Sequence, residues 1–99
     1  MNKNIDILWI DDEIHFLKSH IIFLEKKGYN IKSTHSGEDA IELIQNKYFD
    51  IILLDEMMTG MDGLETLKHI KNIYPDIPIV MITKNEEEWL MDEVIASDI

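Results

Sequence analysis

Three apolar stretches of the chain each end in residues whose side chains carry oxygen atoms. Asp11 and Asp12 follow the first stretch, Asp55 follows the second, and Thr83 follows the third. Short uninterrupted apolar stretches are typical of buried strands, and the carboxyl ends of parallel strands meet at one edge of a sheet. We therefore predict that these four residues gather at one edge, which is where open α/β sheets bind their ligands.

Carboxylates gathered in this way repel one another, and a divalent cation relieves the repulsion. A set of oxygen ligands suits Mg²⁺, which binds one or two carboxylates and often a phosphate group. Cysteine is absent, and His15 and His20 are five residues apart, so they do not share a helix face as a metal-binding pair would. A carboxylate beside bound Mg²⁺ can accept a phosphoryl group, and a hydroxyl such as that of Thr83 can hydrogen-bond one of its oxygen atoms.

A purely structural interpretation of the same acids is also open. Asp12 has the side chain of a helix N-cap, and Glu13 would then lie favourably in the first turn of the helix. Asp55 would only end a strand. This interpretation leaves Asp11 without a structural role.

Strand-like and helix-like segments alternate along the chain. The predicted strands are Ile5–Ile10, Tyr29–Thr34, residues 51–54 and Ile79–Ile82. Four helices are predicted: the first covers residues 14–27, the second begins after a Ser36 cap, the third covers residues 64–74 and the fourth begins at Asn85. Gly28 is placed to end the first helix in a left-handed conformation. Four strands alternating with four helices predict an α/β fold with a doubly wound parallel sheet.

The apolar pattern also predicts which side chains enter the core. Residues 51–54 form an unbroken apolar run, so we expect this central strand to be buried on both faces. Leu64, Leu67 and Ile70 recur at helical spacing and are expected on the buried side of the third helix.

Composition limits the kind of protein and the kind of partner. The chain has 99 residues, enough for one domain, and a formal net charge of −11. All of its basic residues are lysine, so we expect no direct binding of nucleic acid. No apolar run approaches the ~20 residues that cross a bilayer, so we expect no membrane segment and a soluble cytoplasmic protein.

The acids and the loop after Asp55 carry a resemblance to a known family. Asp11-Asp12, the pattern Asp55-x-x-Met58-x-Gly60-Met61-Asp62-Gly63, and Ile82-Thr83 resemble the receiver domain of bacterial two-component response regulators. The resemblance covers the whole chain. It implies a flavodoxin-like sheet of strand order 2-1-3-4, with a fifth strand beside the fourth.

The resemblance also implies a role for each site residue. Asp55 would be the phosphoacceptor and take its phosphoryl group from the phosphohistidine of a sensor histidine kinase. Asp12 would bind Mg²⁺ directly and Asp11 would act through water. Asp55 would also belong to the metal site, and the backbone carbonyl of Met57 would be the third protein ligand. Thr83 would be the switch residue that follows the phosphoryl group. The domain would be no enzyme, apart from dephosphorylating itself, and would act on an output domain C-terminal to it or on a partner.

The chain departs from the family pattern in two places. Thr59 stands where the family usually has proline. The chain also ends at Ile99, before the family's fifth strand, its lysine and its fifth helix, and Lys84 does not match that lysine. We therefore expect residues 1–99 to be an incomplete receiver domain from a longer regulator. With β-strand 79–82 left as an apolar edge, we expect this form to associate as a symmetric dimer or by swapping its fourth helix.

A closer resemblance and two alternatives complete the prediction. The segments HIIFLEKKGYNIKS, LDEMMTGMDGLETL and VMITKNEEEWLMDE resemble the receiver of regulators tied to type IX protein secretion, whose second domain is of the PglZ type. One alternative is a receiver-like module that is never phosphorylated and serves as a dimerisation surface. The other is a phosphatase of the haloacid-dehalogenase type, which needs a second aspartate where this chain has Met57.

Overall fold

Four parallel strands form a single sheet in the computed structural model, which describes residues 4–83. The strands are β1 (Ile5–Ile10), β2 (Tyr29–Thr34), β3 (Ile51–Asp55) and β4 (Ile79–Ile82), and their order in the sheet is β2-β1-β3-β4. Each pair of neighbouring strands is parallel, so the predicted strands, order and polarity are confirmed.

Helices connect the strands across both faces of the sheet. A 3₁₀ helix (Ile14–Leu17) leads into α1 (Lys18–Lys26), and α2 (Gly37–Ile44) and α3 (Gly63–Ile73) follow. The prediction of one continuous helix over residues 14–27 is wrong in its first turn, which is tightened into the 3₁₀ form. Gly28 has a φ of +100°, as predicted for the residue that ends the helix. The predicted helix that begins at Asn85 lies outside the described residues.

The hydrophobic core lies between the sheet and the helices α2 and α3. Alternate residues of three strands point into it and are almost fully buried: Leu8, Ile10, Ile52, Leu54, Ile79 and Met81. Ala40 and Ile44 of α2 and Ile70 of α3 pack against them. This face fixes the positions of β1, β3 and β4, and therefore the positions of the residues at their carboxyl ends.

The opposite face of the sheet is packed less completely. Leu24 of α1 lines a groove of about 630 Å³ together with Ile5, Ile7, Ile51 and Leu53. Ile51 and Leu53 are only half-buried, and none of the residues of α1 is fully buried. The prediction that the central strand is buried on both faces is therefore wrong for its α1 side.

Two capping side chains set the start and the rotation of α2 and α3. The Ser36 hydroxyl accepts a hydrogen bond from the Asp39 N–H, as predicted, and the Asp62 carboxylate accepts one from the Glu65 N–H. In α3 this places Thr66 and Ile70 inside, whereas Leu64 is 54% exposed. The expectation that Leu64 faces the core is wrong, because the rotation of the helix points it towards solvent.

Among residues 4–83, no helix is both long enough and apolar enough to cross a membrane.

Candidate functional site

Three carboxylates meet at the carboxyl edge of the sheet, where the sequence predicts them. Asp11 follows β1 directly, Asp12 comes next, and Asp55 is the last residue of β3. Each contributes one carboxylate oxygen to a cluster whose atoms all lie within 4.8 Å of one another. Asp11 and Asp55 are almost completely buried, at 1% and 0% exposure, whereas Asp12 is half-buried.

Each of the two buried aspartates is held by its own turn, and the two turns are of the same kind. Asp11 Oδ1 accepts a hydrogen bond from the Glu13 N–H at 2.8 Å, and Asp55 Oδ1 accepts one from the Met57 N–H at 3.2 Å. Aspartate often bonds the backbone two residues ahead in this way, and the chain turns as a result. The turn after each strand therefore aims the side chain as well as redirecting the backbone.

This geometry corrects the structural interpretation of the first acid pair. The Asp12 carboxylate does not cap the following helix; the residue at the cap position is Glu13, which makes no capping side-chain hydrogen bond. Asp11, which that interpretation left without a role, forms the turn. The Ile14 N–H donates to the Asp11 carbonyl at 3.0 Å, and this bond across three residues opens the 3₁₀ helix.

Thr83 reaches the same edge by strand register. Ile82 is paired with Asp55 in the β3–β4 ladder, and the Glu56 N–H donates to the Ile82 carbonyl at 2.8 Å. Thr83 is the next residue and is half-buried. All four side chains that the sequence predicts at this edge therefore belong to residues at the ends of adjacent strands.

The loop after β3 folds back closely over the end of that strand. The Gly63 N–H donates to the Glu56 carbonyl at 3.0 Å. A Cβ atom on Gly63 would lie 2.7 Å from Glu56 Cα and would collide with the Asp55 carbonyl oxygen, so no larger residue fits without displacing the strand end. Gly60, with a φ of +76°, makes the turn inside the loop.

The same loop contacts the second acid of the cluster. Asp12 Oδ2 accepts hydrogen bonds from the Thr59 N–H at 3.2 Å and from the Thr59 hydroxyl at 3.5 Å. Within the described part of the chain, these are the hydrogen bonds that the Asp12 carboxylate receives. The sequence did not predict this contact, because residues 12 and 59 share no local pattern.

A cavity of about 490 Å³ opens beside Asp12. It is lined by residues of the β3–α3 loop and the start of α3, most of them acidic or apolar: Glu56, Met57, Met58, Thr59, Asp62 and Leu64. The Met57 and Leu64 side chains are more than half exposed. The cavity therefore gives solvent a path to the half-buried member of the acid cluster.

The donor set fits a hard divalent cation. Each of the three clustered side chains offers a carboxylate oxygen, and Mg²⁺ prefers oxygen ligands. Around one octahedral Mg²⁺, adjacent ligand oxygens lie about 2.9 Å apart and opposite ones about 4.2 Å apart, so carboxylate oxygens within 4.8 Å of one another are on the scale of a single cation site. In an acidic chain of net charge −11, two nearly buried carboxylates and a third beside them form a strong electrostatic attraction for a cation.

A flavodoxin-like parallel sheet with acids gathered at its carboxyl edge is the arrangement that the resemblance to receiver domains predicts, and comparison with known proteins agrees. The family model described as the response regulator receiver domain matches residues 7–99. The chain belongs to the response regulator receiver domain family of two-component systems. Receiver domains of this family are signalling modules rather than enzymes, and they bind Mg²⁺ at acidic residues.

Curated relatives include transcriptional regulatory proteins. ZraR of Escherichia coli strain K12 is 41% identical over 82 residues, which cover 83% of this chain and 19% of ZraR. ZraR of Salmonella typhimurium is 42% identical over 79 residues, covering 80% of this chain and 18% of that protein. The chain thus spans about a fifth of the length of these relatives.

Solved structures show the same fold. NtrX from Brucella abortus superposes with a TM-score of 0.82 at 26% identity, covering 97% of this chain and 22% of that chain. CheY4, a chemotaxis protein of Vibrio cholerae, superposes with a TM-score of 0.77 at 26% identity, covering 94% of this chain and 81% of that chain.

Proposed function

We propose that the chain is a phosphorylation-controlled receiver in which Asp55 accepts the phosphoryl group. The observation that carries the proposal is the burial of Asp11 and Asp55 within one carboxylate cluster at the carboxyl edge of a receiver fold. Buried carboxylates are costly unless they are compensated, and clusters of this kind concentrate at functional sites. Asp55 lies at the end of the central strand, between the acids that follow β1 and the hydroxyl that follows β4.

In the proposed reaction, an oxygen atom of the Asp55 carboxylate attacks the phosphorus of a phosphohistidine on a sensor histidine kinase. A P–O bond forms, the P–N bond breaks, and the imidazole nitrogen retains the electron pair. Asp12 would hold Mg²⁺ directly and Asp11 would hold it through water. Asp55 and the Met57 carbonyl would complete the protein ligands. When bound, Mg²⁺ neutralises charge on the transferring phosphoryl oxygens. The Thr83 hydroxyl would then follow one of these oxygens and carry the change to β4.

The proposal also includes the cellular location of the domain and its partners. We place it in the cytoplasm, with a sensor histidine kinase as phosphodonor and an output domain or partner as its target. The link to type IX secretion and a PglZ-type second domain stays a prediction that no described residue tests. Self-association, by a symmetric dimer through the half-buried α1 side of the sheet or by a helix swap, also stays a prediction.

Intact mass spectrometry after incubation with Mg²⁺ and acetyl phosphate tests the phosphoacceptor. We expect a mass increase of one phosphoryl group, because acetyl phosphate can transfer its phosphoryl group to Asp55 with loss of acetate. Asp55→Asn should abolish the increase. Asp50→Asn removes the same charge at the other end of β3 and should leave it unchanged. An increase that persists in Asp55→Asn would contradict the assignment, and no increase in the wild type would favour the unphosphorylated module.

A further inference from the structure

One contact at the acid cluster joins two segments that are far apart in sequence. The Thr59 N–H and hydroxyl both point to Asp12 Oδ2, at 3.2 and 3.5 Å. The first distance is within the ordinary range for a hydrogen bond, and the second is at its outer limit. The backbone N–H is therefore the stronger donor, and the Thr59 side chain adds little.

This contact restrains the least buried member of the cluster. Asp11 and Asp55 are almost fully buried and each is fixed by its own turn, but Asp12 is half-buried and has no such turn. Within residues 4–83, Thr59 alone donates hydrogen bonds to the Asp12 carboxylate. The loop is in turn anchored to the end of β3 by the bond from the Gly63 N–H to the Glu56 carbonyl.

We propose that Thr59 is a positioning residue for the cation site: its backbone N–H holds Asp12 Oδ2 so that the other carboxylate oxygen faces the cluster. This inference rests on the proposed function, because it assumes that Asp12 binds Mg²⁺. Thr59 acts through Asp12 and does not bind the cation itself. A donor that orients a ligating carboxylate typically contributes 10- to 100-fold to metal affinity, roughly the range expected here.

Two substitutions separate the backbone donor from the hydroxyl. Thr59→Ala removes the hydroxyl and keeps the N–H, whereas Thr59→Pro removes both. We expect Thr59→Ala to bind Mg²⁺ within about threefold of the wild type, because the lost bond is long. The family usually has proline at this position and binds Mg²⁺ without this N–H, so the donor adds affinity to a site that forms in its absence. We therefore expect Thr59→Pro to bind at least about tenfold more weakly than Thr59→Ala. Isothermal titration calorimetry measures the affinities, and urea unfolding without Mg²⁺ checks that each variant is folded.

Saturating Mg²⁺ distinguishes positioning from damage to the fold. Thr59→Pro should reach the same bound stoichiometry as the wild type at high Mg²⁺, because only the orientation of Asp12 has been lost. Equal affinities of Thr59→Pro and Thr59→Ala would overturn the inference while leaving the proposed function intact. Absence of Asp12-dependent Mg²⁺ binding in the wild type would overturn the proposed cation site and this inference together.

Amide hydrogen exchange provides a second measurement if Thr59→Pro does not fold. In the wild type, the Thr59 amide should exchange slowly, because it donates to Asp12. Asp12→Ala removes the acceptor and should speed its exchange at least about tenfold, in line with the loss of one net hydrogen bond. The Gly63 amide, which donates to the Glu56 carbonyl, is the internal control and should be unchanged. Rapid exchange of the Thr59 amide in the wild type would overturn the inference.

Discussion

The two edges of the sheet carry the same kind of residue in opposite chemical settings. At the carboxyl edge, Asp11 and Asp55 are almost fully buried and share a cluster with Asp12. At the amino edge, Asp6 is half-buried and Asp50 is exposed. The two groups are separated by about the length of β1, roughly 16 Å at ~3.3 Å per residue.

The acids at the amino edge are part of the framework of the sheet. Asp50 Oδ2 accepts the Asp6 N–H at 2.8 Å, and the Asp50 N–H donates to the Asp6 carbonyl at 2.8 Å. Asp6 Oδ1 accepts the side-chain amide of Asn30 at 3.2 Å. These bonds connect the starts of β2, β1 and β3.

Strand polarity explains the difference between the edges. At the amino edge of a parallel sheet, the first N–H groups of the strands need acceptors, and a carboxylate supplies one. At the carboxyl edge the strands end in carbonyl groups, which are acceptors themselves, so a carboxylate there does not complete the ladder. Asp11 and Asp55 at that edge instead accept hydrogen bonds from the turns that follow their strands. Those turns do not offset the repulsion of three gathered carboxylates, which is what the proposed cation would relieve.

The largest expected effect is on Mg²⁺ affinity. Asp12→Asn and Asp50→Asn each remove one negative charge, so they change the net charge equally. We expect Asp12→Asn to weaken binding at least about a hundredfold, since loss of a ligand should cost more than loss of a partner that orients one. Asp50→Asn should change the affinity less than about twofold, because the edges are farther apart than the ~10 Å screening length at ordinary ionic strength. Trp9 fluorescence, or calorimetry if the signal is small, gives the affinities.

Equal losses in the two variants would show that the overall charge of the chain, rather than the carboxyl edge, attracts the cation.

A smaller effect is expected on stability, and here the substitution at the amino edge, not the one at the carboxyl edge, should be the damaging one. Asp50→Ala removes the acceptor of the Asp6 N–H and should lower the free energy of unfolding by about 1 kcal/mol. Asp12→Asn removes one of three neighbouring negative charges, so without Mg²⁺ it should leave stability equal to or above that of the wild type. Urea unfolding in the presence of EDTA measures both, with the exposed Glu42→Ala as a control. A large loss in Asp12→Asn would mean that Asp12 is a framework residue like Asp50.

Much of this architecture follows from sequence, because short apolar runs predict buried strands and parallel strands all end at the same edge of the sheet. That reasoning places Asp11, Asp12, Asp55 and Thr83 at one edge, and the register of β3 and β4 agrees. The turn type after β1 does not follow, since one turn is too short for the periodicity to distinguish a 3₁₀ helix from an α-helix.

Contacts between distant segments are the part that sequence does not supply. Leu64 fits the apolar spacing of α3, but the Asp62 cap and the close approach of Gly63 to Glu56 set the rotation of that helix. The bond from Thr59 to Asp12 joins residues separated by 47 positions and becomes visible only when the β3–α3 loop has folded back.

The comparison of the edges is tested most directly by Mn²⁺, a paramagnetic substitute for Mg²⁺, in a nuclear magnetic resonance titration. Mn²⁺ broadens the amide signals of residues close to its binding site. We predict that substoichiometric Mn²⁺ broadens the signals of Asp12, Met57 and Thr59 and that excess Mg²⁺ restores them. The signals of Asp6 and Asp50 should stay sharp throughout. Equal broadening at both edges, or broadening at the amino edge alone, would contradict the assignment of the carboxyl edge as the cation site.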